Sequence, residues 1–180
     1  MISSETIGAV AGVTSDQVRK DLSHLGSMGK RGTGYAVPRL RDALVASLGL
    51  GRLLTVAVVG AGNLGMAIGG FPDYRAGGFE VKALYDVNPN RAGGSLSGLP
   101  IRHVDEFAAD SAQAPYDIGV ITTPPDAARD VADMMVKAGT RAILNFAPVT
   151  LGCQGEVPVR NVRVVEEMQI LAHYLEPSDA

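Results

Sequence analysis

The sequence of 180 residues predicts an α/β protein in which a small helical N-terminal part precedes a doubly wound parallel sheet. The first observation is a change of hydrophobic period: up to about residue 48 apolar residues recur at helical spacing, whereas residues 53–59 form one continuous β-rich apolar run. The second is that later strand-like runs alternate with helical patterns, which indicates parallel strands joined by right-handed crossovers. The stretch Gly-Leu-Gly-Arg at 49–52 is the natural boundary between the two parts.

The N-terminal part predicts short helices around a glycine-punctuated hairpin at 29–37. The helices are expected from Ser3 or Ser4 to about Ala11, from Thr14 or Ser15 to Gly26, and onward from Pro38. The apolar residues predicted to face inward are Ile7, Val10, Ala11, Val18, Leu22, Leu25, Leu40, Leu44, Val45 and Leu48.

The second part predicts the sheet and its helices. Strands are expected at 53–59, 79–85, 117–122 and 141–146, with a last short strand at 162–165. Helices are expected at 126–138 and at 166–175, the latter an amphipathic closing helix.

Composition and charge narrow the class of protein. Hydrophobic residues make up 46% of the chain, which excludes disorder over its whole length. The longest apolar run is too short to span a bilayer and the start resembles no secretion signal, so we expect a cytoplasmic protein without a membrane partner. The single Cys153 excludes an internal disulfide and a cysteine-based zinc site, and we expect no metal.

The charge is unevenly distributed along the chain. Residues 1–52 carry seven Lys and Arg against four acids, and the remainder carries nine against fifteen. A basic part joined to an acidic body is compatible with two functions, the first involving phosphate groups. Charge alone nevertheless favours ordinary solvated charges on short helices.

A glycine-rich loop directly follows the first predicted strand. It reads G-x-G-x-x-G and consists of Gly60, Ala61, Gly62, Asn63, Leu64 and Gly65. The first glycine makes the tight turn, the second lets the backbone approach a pyrophosphate, and the third lets helix and strand pack closely. Asp86, twenty-one residues after Gly65, would accept hydrogen bonds from an adenosine ribose and favour NAD(H) over NADP(H). The alternative is a purely structural glycine turn, but the strand, loop and acid together predict a Rossmann-type NAD(H) site.

The sequence argues against an enzyme. Hydride transfer to a carbonyl usually needs a nearby His, Lys or Tyr, yet His24 lies in the N-terminal part and His173 on the closing helix. His103 lies in an ordinary edge segment. The dinucleotide unit also takes most of residues 53–165, which leaves no room for a substrate domain, so a sensor is favoured over a dehydrogenase.

The N-terminal part contains a candidate DNA-reading helix and wing. The polar face of the second helix combines Gln17, Lys20, Asp21 and His24, flanked by Arg19 and Ser23. A short polar helix after a tight turn is typical of a recognition helix in a major groove. The basic hairpin that follows is typical of a wing, with cations near phosphates or in a minor groove.

Four segments together resemble the Rex family of redox-sensing transcriptional repressors, in the family's order and spacing. They are 18–23 (Val-Arg-Lys-Asp-Leu-Ser), 29–35 (Gly-Lys-Arg-Gly-Thr-Gly-Tyr), 59–65 (Val-Gly-Ala-Gly-Asn-Leu-Gly) and 143–148 (Ile-Leu-Asn-Phe-Ala-Pro). The resemblance implies a winged helix-turn-helix head at 1–50 that binds a palindromic operator, a Rossmann NAD(H) domain at 51–162, and a helix at 163–180 exchanged within a homodimer. It also implies that NADH releases the DNA whereas NAD⁺ permits repression.

The resemblance also implies site residues by position. The DNA contacts would be Gln17, Arg19, Lys20 and Ser23 in the major groove and Lys30, Arg31, Gly32 and Tyr35 in the wing. The cofactor contacts would be residues 60–65 and Asp86 for ADP-ribose, with Thr122, Pro124, Asn145, Phe146, Ala147 and Pro148 bordering the nicotinamide. Core packing of Phe146, and strand stops at Pro124 and Pro148, are the alternatives.

The chain departs from the family at three places. The family's longer first helix before Ser3 is missing, Phe71 replaces a Tyr, and Arg163 replaces an acid, followed by Val164 in place of a larger side chain. In the family that acid pairs with the Tyr hydroxyl and a cation of the first helix in one redox state. Two alternatives therefore stay open: a small NAD-dependent oxidoreductase, and a degenerate family member with weakened control of DNA.

Overall fold

The structure, a computed structural model, describes residues 1–26, 28–30, 32–49, 51–153 and 155–175. It divides into two compact units, Met1–Arg52 and Leu53–Ala180. The first unit contains α1 (Ser4–Ala11), α2 (Ser15–Ser23), β1 (Gly29–Lys30), β2 (Gly34–Tyr35) and α3 (Val37–Ser47). Side chains cap the first two helices as predicted, because Ser3 accepts from the Thr6 amide and Thr14 from the Gln17 amide.

A small core holds the first unit together. Its buried residues are Val18, Leu22, Tyr35 and Leu40. Val10 and Ala11 were predicted to face inward, but this is wrong: both are exposed, Val10 at 85%, and the buried positions of α1 are Ser4 and Gly8. The reason is a close approach, since a Cβ on Gly8 would lie 2.6 Å from the carbonyl oxygen of Val13. Leu48 is also exposed, because α3 ends one residue before it.

The second unit is a seven-stranded sheet flanked by helices. Its strands are β3 (Leu54–Val59), β4 (Phe79–Asp86), β5 (Ser95–Leu96), β6 (Leu99–His103), β7 (Ile118–Ile121), β8 (Ala142–Asn145) and β9 (Val159–Asn161). Its helices are α4 (Asn63–Gly69), α5 (Phe107–Gln113), α6 (Ala128–Lys137) and α7 (Val164–Leu175), with 3-10 turns at Pro72–Tyr74 and Val104–Glu106. The strand order is β5-β6-β4-β3-β7-β8-β9, and only the β5–β6 pair is antiparallel.

The predicted α/β class and parallel sheet are confirmed. The strand order also shows where a ligand crevice is expected. The chain leaves β3 toward β4 on one side and later returns to β7 on the other side. A ligand crevice forms at such a switch point, outside the carboxyl ends of the strands. The loop after β3 therefore lies beside the loops that follow β7 and β8.

The prediction of a last strand at 162–165 is wrong. The strand is β9, which pairs with β8 in the register Ile143↔Val159 and Asn145↔Asn161. Helix α7 begins at Val164, so the β-branched residues that suggested a strand open a helix instead. Strand β6 and helix α5 were not predicted from the sequence, because their short segments contain few apolar residues in a periodic order.

Helix α7 contains no buried residue in this single chain. Its exposed large apolar side chains are Val164, Val165, Met168, Ile170, Leu171, Tyr174 and Leu175. Within the described ranges, no helix is long and apolar enough to cross a membrane.

Candidate functional site

The glycine loop after β3 is shaped by two close contacts. Gly60 has a φ of +105°, and a Cβ there would lie 2.8 Å from the backbone carbonyl of Thr122. A Cβ on Gly65 would lie 1.9 Å from the carbonyl oxygen of Gly60. A Cβ on Gly62, in contrast, would meet nothing within 4 Å. The first and third glycines are thus required by packing, whereas the second faces open space that a ligand can occupy.

Thr122 holds this loop from the neighbouring strand. Its hydroxyl donates to the carbonyl oxygens of Gly60 at 2.7 Å and Val59 at 3.1 Å. The side chain predicted to border the nicotinamide therefore fixes the turn. Pro124, two residues on, is exposed.

Asp86 ends β4 and is 5% exposed. Its Oδ2 accepts from the amide of Ala61 at 2.8 Å and from Arg91 at 3.1 Å, and its Oδ1 accepts from the amide of Asn88 at 2.8 Å. An ionised carboxylate has about four acceptor positions, so these contacts leave room for about one more donor. Asp86 joins the two loops of the predicted ADP-ribose site, through the amides of Ala61 and Asn88. Asn63 and Leu64, also predicted to contact ADP-ribose, are exposed.

Arg91 belongs to the candidate cofactor site but was not predicted from the sequence. Its guanidinium pairs with Asp86 and remains half exposed. The signal was a cation five residues after the acid, but only the turn at residues 88–92 brings its side chain back to the carboxylate. An arginine at this place is a known type of partner for a 2′-phosphate, so it reduces the discrimination expected from Asp86 alone.

The loop after β8 lies against the same edge, since the Phe146 amide donates to the carbonyl oxygen of Ile121 at 2.9 Å. Asn145 is fully buried, and its side chain is hydrogen-bonded to Ala147, Val149 and Asn161. Ala147 is buried, Phe146 is partly buried against the core, and Pro148 is exposed. The structure thus places Asn145 as a support of the loop.

His103 also lies at this edge, opposite Asp86 in the β4–β6 register. Its Nε2 lies 3.2 Å from the carbonyl oxygen of Val87, and its Nδ1 lies 3.1 Å from the carboxylate of Asp105. Both ring nitrogens are therefore engaged by neighbouring residues.

The predicted DNA contacts have different environments in the first unit. Gln17 and Lys20 are exposed on α2, and Gln17 donates to Asp21 at 2.6 Å. Arg19 turns toward α1, where it donates to Ser4 at 2.8 Å and pairs with Glu5, and it also pairs with Asp16 of its own helix. The hydrogen bond that Arg19 donates to Asp16 is the main cause of the raised pKa of Arg19. The Ser23 hydroxyl donates to the carbonyl oxygen of Lys20.

The predicted DNA contacts of the hairpin also differ in exposure. Gly32 is exposed in the turn at a φ of +77°, whereas Tyr35 is 8% exposed and packs in the head core. The structure supports a packing role for Tyr35. Arg31 and the side chain of Lys30 lie outside the described part of the chain.

Comparisons with known proteins agree on one family. Residues 52–149 match the family model described as CoA binding domain. The redox-sensing transcriptional repressor Rex of Streptomyces griseus is 44% identical over 173 residues, which cover 96% of this chain and 68% of that protein. The Rex of Thermus thermophilus is 44% identical over 160 residues, which cover 89% of this chain and 75% of that protein.

Solved structures of RSP, a Rex-family repressor, agree with this result. The crystal structure of RSP in complex with β-NAD⁺ and operator DNA has a TM-score of 0.89 at 34% identity, over 97% of this chain and 80% of that one. RSP in complex with β-NADH has a TM-score of 0.83 at 32% identity, over 97% and 81%. These relatives are named as regulators and not as enzymes. With its glycine loop, Asp86 and small head, the chain belongs to the Rex family of redox-sensing transcriptional repressors.

Proposed function

We propose that this protein is a homodimeric repressor that binds a palindromic DNA operator and releases it when NADH binds. In this proposal residues 1–50 bind DNA, 51–162 bind NAD(H), and 163–180 join two subunits in the cytoplasm. The observation that carries it is the match, over 97% of the chain, to RSP bound to both NAD⁺ and operator DNA.

The site residues fit NAD(H). Gly62 faces open space at the start of α4, where backbone amides can meet a pyrophosphate. The remaining acceptor position of Asp86 suits one adenosine ribose hydroxyl. The exposed Pro124 and Pro148 and the partly buried Phe146 then border the nicotinamide, with Thr122 and Asn145 shaping the loops behind them. When bound, the nicotinamide supplies a difference in charge between its oxidised and reduced forms.

The DNA contacts are assigned to the exposed face of α2 and to the hairpin. Gln17 and Lys20 are exposed and can point into a major groove, Gln17 after releasing its hydrogen bond to Asp21. Ser23 lies at the end of that face, and Lys30, Arg31 and Gly32 belong to the wing. Arg19 must first leave its acidic partners on α1 and α2 to reach DNA, so it contributes less than Lys20.

A second copy of the chain is the proposed partner of α7. Seven large apolar side chains are exposed on this helix of twelve residues, and monomeric proteins rarely leave such a contiguous apolar patch in water. Exchange of the helix between subunits would bury it.

A repressor with weakened redox control is the second candidate. Phe71 is 55% exposed, its ring packs edge-to-face with Tyr74 at 5.3 Å between ring centroids, and it offers no hydroxyl. Arg163 donates to Thr150 and lies 3.7 Å from Glu166, so its charge is already engaged. Both positions lack the chemistry that the resemblance assigns to the switch.

The test is an electrophoretic mobility shift of the full protein on duplexes selected from a random-sequence library. We expect a palindromic site that is retained with NAD⁺ and bound more weakly with the same concentration of NADH. Failure to select any site, or a retained complex that NADH leaves unchanged at concentrations that saturate the protein, would contradict the proposal. The substitution Gly62→Glu places a side chain in the open space beside Gly62. The variant should still bind the operator, but NADH should no longer change that binding.

A further inference from the structure

Two asparagines organise the loop that follows β8. Asn145 Nδ2 donates to the carbonyl oxygen of Val149 and to Asn161 Oδ1, both at 2.8 Å, and its Oδ1 accepts from the amide of Ala147 at 3.0 Å. Asn161 then pairs with the backbone of Leu151: its Oδ1 accepts the Leu151 amide at 3.1 Å, and its Nδ2 donates to the Leu151 carbonyl at 2.9 Å. We call residues 147–151 with these two side chains the amide clasp.

The clasp uses the donor and acceptor capacity of both amides. A carboxamide presents both functions, so Asn161 can bond the amide and the carbonyl of Leu151 together and still accept from Asn145. Aspartate in this place cannot donate and would face the Leu151 carbonyl with a negative oxygen. The Leu151 side chain is 2% exposed in the core, so the loop is anchored on its apolar side as well.

The clasp connects the crevice with the start of α7. At one end, Phe146 bonds to Ile121 of β7, whose next residue, Thr122, holds the glycine loop. At the other end, β9 ends at Asn161. Two residues later, the Arg163 guanidinium donates a hydrogen bond to the Thr150 hydroxyl within the loop. A shift of the loop therefore moves the groups that fix the entry of α7.

We propose that Asn161 is a positioning residue that transmits occupancy of the crevice to α7 through the amide clasp, with the Thr150–Arg163 hydrogen bond as a second connection. This rests on the proposed binding of NADH in the crevice. A ligand changes α7 only through contacts that differ between two arrangements. The clasp is a candidate for such contacts, because its hydrogen bonds join the end of β8, the loop at 147–151 and the end of β9.

The test measures NADH affinity and amide hydrogen exchange of α7 in the full protein, with and without saturating NADH. We expect NADH to change α7 exchange in the parent. In Asn161→Asp we expect NADH to bind within about tenfold of the parent affinity while the change in α7 exchange falls at least about fivefold, the equivalent of one hydrogen bond. An Asn161→Asp protein that binds NADH and keeps the parent's response would overturn the proposal.

Thr150→Val keeps the test decisive if Asn161→Asp does not fold, because Thr150 is exposed and loses only its bond to Arg163. It should reduce the α7 response about twofold or more. The matched control is Thr140→Val, since the buried Thr140 hydroxyl has no hydrogen-bond partner among the described residues, and its response should equal the parent's. A full response in Thr150→Val contradicts the second connection. A parent that binds NADH without any change at α7 overturns the inference alone, whereas a parent that does not bind NADH overturns the proposed function.

Discussion

At the level of single residues, we predict that Asp86 and Arg91 together set the preference between NADH and NADPH. Asp86→Ala removes the proposed acceptor for the ribose hydroxyl and leaves Arg91 without its partner carboxylate. We expect NADH affinity to fall by about 1–3 kcal/mol and NADPH affinity to fall less, so that the gap narrows. Calorimetric titration of both nucleotides measures this.

Arg91→Ala is the matched variant for that prediction. It keeps the Asp86 carboxylate and its two backbone donors, and it removes only the cation. The gap between NADH and NADPH should therefore widen. Equal affinities of the unmodified protein for NADH and NADPH would contradict the assignment of Asp86 to the ribose.

Lys20 tests the DNA-binding face at the same scale. Lys20→Ala should weaken operator binding by about 1–3 kcal/mol if the side chain contacts a guanine. Fluorescence anisotropy with a labelled operator gives the affinity. Lys137→Ala is the control, because it removes an equal exposed charge from α6 of the other unit and should change affinity less than about twofold. An equal loss in both variants would point to net charge alone.

At the level of elements, a buried polar network fastens α5 to the sheet. The Tyr85 hydroxyl on β4 donates to Asp110 of α5 at 2.6 Å and lies 2.7 Å from the hydroxyl of Tyr116, while Arg102 of β6 pairs with the same carboxylate. Burial, followed by the hydrogen bond to Asp110, raises the pKa of Tyr85 far above its ordinary value, so the hydroxyl keeps its proton.

Tyr85→Phe should therefore destabilise the fold. It leaves an oxygen of the partly buried Asp110 carboxylate without its Tyr85 donor, at a cost of about 1–3 kcal/mol in the free energy of unfolding. Urea denaturation should show a lower midpoint with an unchanged slope. Tyr74→Phe is the control, because the Tyr74 hydroxyl makes no hydrogen bond within the described residues. A midpoint that does not move in Tyr85→Phe would show that the network contributes no net stability.

Helix α7 is the element that the proposed dimer requires. Leu171→Glu places a charge on its apolar surface, where Leu171 is 63% exposed in the single chain. We expect the dissociation constant of the dimer to rise at least about thirtyfold, the effect of a central interface residue. Analytical ultracentrifugation measures it, with Glu167→Gln as a control. A parent that is monomeric at micromolar concentration would contradict the dimer.

At the level of the whole molecule, redox control depends on contacts made in only one state. The resemblance assigns one such contact to a Tyr hydroxyl and an acid, where this chain has Phe71 and Arg163. Loss of a charge-assisted hydrogen bond removes about 1.5–3 kcal/mol, comparable with a typical allosteric coupling of about 1–3 kcal/mol.

Saturating NADH should therefore weaken operator binding less than about a hundredfold. The measurement is operator affinity at zero and saturating NADH, with the Rex of Streptomyces coelicolor, 44% identical over 173 residues, measured in parallel. A larger loss would show that Arg163, through Thr150 and Glu166, forms a different and effective switch.

The sequence by itself determined the parallel sheet, most helix positions, the glycine loop and Asp86, because hydrophobic period, caps and motif spacing are local properties of the chain. The predicted strands at 53–59, 79–85, 117–122 and 141–146 agree with β3, β4, β7 and β8 within one residue at each end. Only the tertiary structure decided the last strand, because β9 is defined by its pairing with β8 and not by β-branched residues. The same holds for the site. Arg91 donates to Asp86, five positions away, and Asn145 donates to Asn161, sixteen positions away. Such contacts depend on how loops return across the sheet edge, which no local periodicity records.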